Sequence, residues 1–469
     1  MFVGWVKIVA GPISLTCRVG NGFLLPAPFP LNDKMKLKSI KIENFRAIKK
    51  LELPLHPQLT VLIGDNATGK TTLLDALAVG LSPILTHLPE ISGIGFKQHD
   101  LRQTTQEQKA PYMRVKLTND ENVQWDRMTR RDKTKHTAKA LPDTIGLKPL
   151  HAYLEESING VQNNQPILLP VFVYYSTERA VFSDILETKD INNQKLTRFT
   201  ALNKALESKT NFREAMGWFI AKENQEAREG KKRQDYSYKL DELEIVRQAV
   251  ETTIKECHHR RSELSPPRLL VDFKNEQQQP ITLEISQLSH GFRTLLALVM
   301  DLARRMAQAN PHLDKPLNEE AIVLIDEIDL HLHPKWQQTL LPDLMQTFPK
   351  TQFIVTTHSP QILSTVHKEN IWLLKCCEEL GICAYRPITE PYGAESTEAL
   401  QSIMQVDPRP QNLPEVEEYN RYLFLVNHGQ YDSAEARKLR SKLEQVLEKS
   451  QFNLADMLIR KHKALLLHS

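Results

Sequence analysis

Residues 64–71, Gly-Asp-Asn-Ala-Thr-Gly-Lys-Thr, match the phosphate-binding pattern G-x-x-x-x-G-K-[ST]. Glycines let a loop wrap closely around phosphates, while backbone N–H groups and the N-terminus of a following helix attract negative charge. We expect Lys70 to reach the β- and γ-phosphates of ATP and the Thr71 hydroxyl to bind Mg²⁺. The alternative is a chance glycine-rich turn. The predicted nucleotide contacts of this loop are Gly64, Asp65, Asn66, Ala67, Thr68, Gly69, Lys70, Thr71 and Thr72.

Two adjacent carboxylates follow the apolar run at 322–325. Asp326 is placed to complete the coordination shell of Mg²⁺, and Glu327 to orient or deprotonate the attacking water. An apolar strand followed by an acidic turn would look the same. The phosphate-binding pattern elsewhere in the chain favours the catalytic interpretation.

Residues 288–292, Leu-Ser-His-Gly-Phe, open an amphipathic helix upstream of the two carboxylates. Ser289 is a good helix N-cap, which is the ordinary interpretation of a serine at this position. A serine and a glycine at a helix N-terminus also suit a γ-phosphate, so Ser289 and Gly291 are candidate nucleotide contacts.

His358 directly follows an apolar run at 353–357, about thirty residues after the carboxylates. A lone histidine is more often structural, but this placement at a strand end favours a role beside Glu327. His331 and His333 allow a metal site as one interpretation and an exposed loop as the preferred one.

The order of these motifs resembles that of ABC-type ATPases: phosphate loop, LSGGQ signature, acidic strand, D-loop and switch histidine. The resemblance implies that Ser289 and Gly291 are signature contacts, although His290 and Phe292 replace the usual residues. It also implies that Asp329 is the D-loop residue coupling two sites and that His358 senses the γ-phosphate. In that arrangement two subunits pack head to tail, and each ATP lies between one phosphate loop and the partner subunit's Ser289.

The segment from Lys38 to Arg46 resembles the opening of RecF/SMC-type ATPases, which implies that Arg46 lies near the nucleotide. Gln98 and Gln103 are both candidates for the Q-loop glutamine of that family. Four other stretches resemble a bacterial group of AAA-type ATPases related to the ATPase subunits of the Septu (PtuA) and retron anti-phage systems. This second resemblance covers about residues 35 to 445, and its four stretches are 174–179, 294–305, 329–334 and 392–396.

Alternating and apolar runs predict the elements that position these residues. A half-buried strand at 37–42 and a buried strand at 59–63 precede the phosphate loop, and a helix carrying Leu73, Leu74 and Leu77 follows it. We therefore expect an α/β P-loop NTPase of ABC/RecF-SMC type, with a mixed sheet flanked by helices. The predicted divisions are an N-terminal extension (1–34), a first ATPase lobe (35–190), a helical insertion (191–265), a second ATPase lobe (266–390) and a C-terminal helical region (391–469).

The composition suits a globular protein, because 41% of the 469 residues are hydrophobic and 25% are charged. The odd number of cysteines, five, and the length of the chain argue against a disulfide framework and fit a reducing cytoplasm. We expect no zinc site, since no CxxC pair occurs, and no membrane span, since no apolar run reaches about 18 residues.

We expect Met35 to be the functional start and 1–34 an artefact or loose extension; an export signal is the alternative.

A net charge of +3 neither demands nor excludes nucleic acid, so DNA contact would depend on local basic runs at 127–139, 231–233 and 258–261. Each run is also compatible with an ordinary solvated face. About 110 residues follow His358, too few for a Toprim nuclease, so any DNA cleavage would fall to a separate effector.

We expect a DNA-associated ATPase acting as a homodimer or higher even oligomer in repair or anti-phage defence. A nucleotide-gated scaffold that restrains a nuclease or toxin is the alternative, and an ABC-transporter subunit is disfavoured.

Overall fold

The structure is a computed structural model that describes part of the 469-residue chain. The described residues are 35–89, 91–103, 109–163, 165–179, 197–208, 212–264, 267–274 and 279–467. The expected N-terminal extension at 1–34 lies outside them.

Strands within the described residues form three sheets, ordered β2-β1-β4-β5, β13-β12-β3-β11-β10-β6 and β7-β8-β9. The first and third sheets are antiparallel. In chain order the strands are β1 (Leu37–Phe45), β2 (Ile48–Pro54), β3 (Leu59–Ile63), β4 (Tyr112–Asn119), β5 (Gln124–Arg130), β6 (Val171–Tyr175), β7 (Cys257–Leu264), β8 (Pro267–Lys274), β9 (Pro280–Glu284), β10 (Ala321–Ile325), β11 (Gln352–Thr356), β12 (Ile371–Cys377) and β13 (Gly381–Tyr385).

The central six-stranded sheet brings distant parts of the chain to one edge. Its strands are parallel except β13, which runs antiparallel to β12. Every residue of β3, β6, β10 and β11 is buried, as expected for parallel strands covered on both faces. Because parallel strands end at the same edge, the segments after β3, β10 and β11 meet there, and these segments carry the phosphate loop, the two carboxylates and His358.

Helices flank the central sheet, and α1 packs between it and the first sheet. The predicted mixed-sheet α/β fold is therefore confirmed. The described helices are α1 (Lys70–His87), α2 (Lys135–Lys139), α3 (Lys148–Gln162), α4 (Arg213–Arg233), α5 (Asp241–Thr253), α6 (His290–Ala309), α7 (Pro334–Gln337), α8 (Leu340–Thr347), α9 (Pro360–Leu363), α10 (Ser396–Ser402), α11 (Pro414–Asn427), α12 (Ala434–Leu443) and α13 (Asn453–Leu467).

The predicted helical insertion at 191–265 needs a correction at its end. Helices α4 and α5 do lie there, but Cys257–Leu264 forms β7 and pairs with β8. β7 is an edge strand of a small antiparallel sheet, and such a strand needs few apolar residues. Its polar sequence therefore did not reveal a strand.

The C-terminal helical region contains a second core. Helix α10 packs on the main core through Ala399, whereas the helices from α11 onward enclose a separate cluster around Tyr419, Tyr422 and Phe452. The boundary between the two cores thus lies between α10 and α11. The sequence suggested a division at residue 391, which is before α10.

The hairpin of β12 and β13 carries a disulfide between Cys377 and Cys383, although the cysteine count argued against a disulfide framework. The two residues are only six positions apart, so the bond closes a local hairpin and does not staple distant elements. None of the helices in the described part of the chain is both long and apolar enough to cross a membrane.

Candidate nucleotide site

The loop between β3 and α1 requires glycine at two positions. Gly64 and Gly69 have positive φ values of 148° and 87°. A Cβ on Gly64 would lie 2.4 Å from the Leu374 carbonyl oxygen, and one on Gly69 would lie 2.2 Å from Ile382 Cδ1. The loop is thus seated on the β12–β13 hairpin. Helix α1 begins at Lys70 without a side-chain cap, so its first N–H groups remain available for phosphate oxygens.

Lys70, the first residue of α1, directs its side chain back to this loop. Its ammonium group donates hydrogen bonds to the carbonyl oxygens of Gly64 (2.8 Å) and Asp65 (2.9 Å). Burial lowers the pKa of Lys70, while the nearby carboxylates of Asp326 and Glu327 oppose that shift. The ammonium is therefore held at the loop, beside the carboxylates that follow β10.

The two predicted Mg²⁺ ligands contact each other. Thr71 Oγ1 donates to Asp326 Oδ2 at 2.8 Å, and Thr356 Oγ1 donates to the other carboxylate oxygen at 2.6 Å. Asp326 is buried, with 1% of its surface exposed. A hydroxyl and an ionised carboxylate side by side are the hard oxygen donors that Mg²⁺ prefers, so this pair fits the ion.

Glu327 has a strained backbone. Its φ of +46° lies in the left-handed region, which costs a non-glycine residue about 1 to 3 kcal/mol and persists only where neighbours hold it. The Glu327 N–H donates to Thr356 Oγ1 at 2.7 Å. On the other side, Arg179 Nη2 donates to the Glu327 carbonyl oxygen at 3.0 Å. The turn that carries Glu327 is thus fixed from both ends.

Asp329 and His358 lie in neighbouring segments at the same edge. Thr357 Oγ1 donates to Asp329 Oδ1 at 2.6 Å, and the Ser359 N–H donates to Thr357 Oγ1 at 3.0 Å. His358 stands between these two hydrogen-bonded residues and is half-buried. The structure therefore brings the predicted D-loop and switch residues together, although it does not test their roles.

The signature motif is the N-terminus of α6. Ser289 caps this helix by accepting a hydrogen bond from the Phe292 N–H at 3.3 Å, and its side chain is exposed, as is His290. A Cβ on Gly291 would lie 2.1 Å from the His331 carbonyl oxygen. The glycine thus allows α6 to pack directly on the loop that follows Asp329. The N-cap interpretation agrees with the structure, and the exposed serine remains accessible to a second subunit.

Arg46 is engaged in ion pairs beside α1. Its guanidinium contacts Asp75 at 2.6 Å and Asp100 at 2.8 Å, and the Tyr174 hydroxyl also donates to Asp75 at 3.0 Å. Asp75 belongs to the second turn of α1, so Arg46 lies close to the phosphate-loop helix. Its contact with nucleotide stays a prediction.

Other predicted residues have separate surroundings. Gln98 and Gln103 are both exposed, and the structure does not choose between them as the Q-loop glutamine. His331 lies edge-on to His290, with 4.4 Å between ring centroids, and His333 caps α7. The part of the chain that the structure describes contains no group of three or more histidine, cysteine or acidic residues placed to bind a metal.

The basic runs differ in availability. Arg127 donates to the carbonyl oxygens of Val79 and Ile94, so it stabilises the fold and is not free for phosphate. Lys231 and Lys232 are exposed near the end of α4. For 258–261 only the backbone, in β7, is described.

Sequence reasoning missed two residues that support this site. Thr356 lies in an apolar strand and has no motif of its own. Arg179 belongs to the stretch 174–179, which stands out only by its resemblance to the bacterial AAA-type ATPases. Both act on residues far away in the chain, at Asp326 and Glu327, so no local pattern could identify their roles.

Two family models match the chain. The first, described as "AAA domain", matches residues 39–258, and the second, described as "AAA domain, putative AbiEii toxin, Type IV TA system", matches residues 176–364. Together they span the phosphate loop, the signature, the carboxylates and His358. Their matched segments overlap between residues 176 and 258.

Similar proteins include retron, Septu and RecF proteins. The chain is 28% identical to the "Retron Ec83 probable ATPase" of Escherichia coli, over 88% of this chain and 84% of that protein. It is 44% identical to the Septu protein PtuA of Bacillus mycoides over 16% of this chain and 10% of that protein. A match to the DNA replication and repair protein RecF of Lactococcus lactis reaches 38% over 16% and 22% of the two chains.

Among solved structures, the SMC head domain from Thermotoga maritima aligns with 76% of this chain and 100% of its own, at 14% identity and a TM-score of 0.39. The resemblances predicted from the sequence and the predicted ATPase activity are confirmed by the family models and the relatives. This chain is an ATPase with two AAA domain matches, and it is similar to the retron and Septu ATPases and, over a shorter stretch, to RecF.

Proposed function

We propose that this ATPase works as a head-to-tail dimer in which each ATP is held between the Lys70 loop of one copy and Ser289 of the partner subunit. The observation that supports this most is the exposed Ser289 at the N-terminus of the 20-residue helix α6. That terminus offers partial positive charge and N–H groups to a phosphate. Gly291 packs on the loop after Asp329 of its own subunit. An ATP that binds to Ser289 of one subunit would therefore affect the Asp329 loop of that same subunit, beside its own ATP site.

Within each site we assign separate tasks to the chain's residues. Lys70 and the uncapped start of α1 bind the phosphates, and Thr71 with Asp326 holds Mg²⁺, which neutralises phosphate charge when bound. Glu327 orients or deprotonates the attacking water, and His358 supports it from the next segment. The support is the mutual placement of these groups: Thr71 and Asp326 are 2.8 Å apart, and Thr356 contacts both acidic residues.

We further propose that hydrolysis serves DNA repair or anti-phage defence, together with a separate effector such as a nuclease. The relatives named for retron and Septu systems support this, and so do the exposed Lys231 and Lys232, which could contact DNA phosphates. The alternative is a slow, nucleotide-gated scaffold that restrains its effector. It is favoured by the internal hydrogen bonds of Lys70 and Thr71, which the nucleotide and metal must displace.

Mixing two inactive variants tests the shared sites. A mixed dimer of Ser289→Ala and Lys70→Ala subunits contains one intact site, formed by the lysine of the first and the serine of the second. With random pairing and independent sites we expect about a quarter of the normal ATPase rate. The matched control is a mixture of Lys70→Ala with Glu327→Gln, whose defects both belong to the subunit supplying the phosphate loop. That mixture should stay inactive, and a Ser289/Lys70 mixture that also stays inactive would exclude shared sites.

Steady-state ATPase rates, measured with and without DNA, separate the enzyme from the scaffold. Robust turnover that is lost in Glu327→Gln supports the enzyme. Negligible turnover, with ATP still required for binding the effector, supports the scaffold.

A further inference from the structure

Arg179, just after β6, makes contacts that the proposed catalytic scheme does not use. Its side chain is almost fully buried, with 5% of the residue exposed. Nη1 donates to the carbonyl oxygens of Asp326 (2.7 Å) and Ser176 (3.0 Å), and Nη2 donates to that of Glu327 (3.0 Å). The planar guanidinium fork thus binds the backbone of both acidic residues of the site at once.

The charge of Arg179 is matched to this place. Burial lowers the pKa of Arg179, and the carboxylates of Asp326, Glu327 and Asp329 oppose that shift. Burying a charge is costly unless partners compensate it. The carbonyl partners on one side of the guanidinium and the three carboxylates nearby therefore compensate its buried charge at the turn after β10.

Glu327 needs the restraint that Arg179 supplies. The φ of Glu327 is +46°, so its backbone is strained and its side-chain direction depends on the groups that hold the peptide. Thr356 binds its N–H, and Arg179 binds its carbonyl. We propose that Arg179 is a positioning residue, which fixes the Glu327 turn so that the carboxylate faces the attacking water. This inference rests on the proposed role of Glu327.

A purely structural link between β6 and β10 explains the contacts less well. The two strands are already paired along five residues, and the Asp326 N–H donates to the Tyr175 carbonyl oxygen at 2.9 Å. Arg179 acts beyond the end of this ladder. Its charge also contributes, after burial, His331 and Arg293, to a lowered pKa of His290, so Arg179 is close enough to the signature helix to act on it electrostatically.

The test compares ATP binding with hydrolysis in Arg179→Gln and Arg179→Lys. Because a small misplacement of a catalytic group can cost about a hundredfold, we expect kcat of Arg179→Gln to fall about 10- to 100-fold. The Kd for ATP should change less than about threefold, since Lys70 and α1 are untouched. Arg179→Lys should recover part of the rate, because an ammonium can still reach one carbonyl. The matched control is Arg198→Gln, which removes another arginine bound to backbone carbonyls, at the opposite end of α6, and should keep the normal kcat.

A double variant distinguishes positioning from general damage. If Arg179 acts through Glu327, Arg179→Gln should have no further effect on kcat in a Glu327→Gln background. Multiplying defects, a parallel loss of ATP binding, or an unchanged kcat in Arg179→Gln would each overturn the inference. Should thermal unfolding show that Arg179→Gln does not fold, the same comparisons with Arg179→Lys decide. Full activity of Glu327→Gln alone would instead refute the proposed role of Glu327.

Discussion

A single hydroxyl group, that of Thr356, joins the two acidic residues of the site. It donates to Asp326 Oδ1 and accepts from the Glu327 N–H, and the residue is fully buried. We expect Thr356→Val, which keeps the shape, to leave that N–H unsatisfied. The loss should cost about 1 to 3 kcal/mol of stability and lower kcat, since the Glu327 N–H loses the hydrogen bond that holds it. Urea unfolding and steady-state ATPase assays measure both effects.

Thr351→Val is the matched control. Thr351 is equally buried, but within the described part of the chain its hydroxyl has no hydrogen-bond partner. Replacing an unsatisfied buried hydroxyl by a methyl group should leave stability unchanged or raise it slightly. Similar losses in Thr351→Val and Thr356→Val would contradict a special role for the Thr356 contacts.

Residues that belong to a local pattern of known chemistry could be predicted, and residues whose role depends on a contact with a distant backbone group could not. The loop at 64–71 and the pair Asp326–Glu327 are local patterns with known chemistry. Arg179 contacts Asp326 across 147 positions, and the contact goes to a backbone carbonyl that any residue would provide. Only the parallel pairing of β6 with β10 brings these atoms together.

Helix α6 shows how one element links two functional segments. Its N-terminus packs on the loop after Asp329 because Gly291 has no side chain, and a Cβ there would lie 2.1 Å from a backbone oxygen. Gly291→Ala should therefore displace the start of α6, abolishing most hydrolysis while ATP binding by the Lys70 loop is retained. ATP binding and ATPase assays measure this. Gly95→Ala is the control, since the nearest atom to its Cβ would be 3.8 Å away. Loss of ATP binding in Gly291→Ala would contradict this expectation, because it would show that the Lys70 loop also depends on the packing of Gly291 against the loop after Asp329.

The middle of α6 is fixed by a buried charge cluster. Asp301 pairs with Arg304 and Arg305 at 2.7 Å each and accepts from the Tyr175 hydroxyl at 2.9 Å. Burial alone would raise the pKa of Asp301, but the two arginines lower it to about 2. Removing the carboxylate in Asp301→Asn should leave two buried charges uncompensated and cost about 3 to 5 kcal/mol at pH 7.

The pH dependence follows from the direction of this shift. Since the pKa of Asp301 is below its ordinary value of 3.8, the ionised carboxylate contributes its full stability above pH 3.8 and loses it as the pH falls towards about 2. The gap in urea midpoint between the normal protein and Asp301→Asn should thus narrow over that range. Asp314→Asn, at an exposed position after the same helix, should differ by less than about 0.5 kcal/mol at any pH. A gap that stays constant down to pH 2 would contradict this account.

Buried elements were easier to predict than edge elements. β3 and β10 are short apolar runs next to recognisable loops, and the sequence places both. β7 is polar and lies at a sheet edge, so its pairing with β8 was not evident. The second core after α10 likewise depends on side chains from four helical segments meeting, which no single helical pattern reports.

At the scale of the whole molecule, the strongest consequence of the proposed dimer is that ATP should control assembly. Glu327→Gln should bind ATP and Mg²⁺ without consuming ATP. Its molar mass, measured by light scattering, should therefore double on addition of ATP, and the protein should stay a monomer with ADP. Adding Ser289→Arg to the same variant should keep it monomeric, because a long side chain at the exposed N-terminus of α6 obstructs the facing phosphate loop. Lys449→Arg, a conservative change in the C-terminal region, is the control and should leave ATP-dependent dimerisation intact. A dimer that persists without nucleotide, and survives Ser289→Arg, would mean that the subunits associate through another surface and that ATP does not join them.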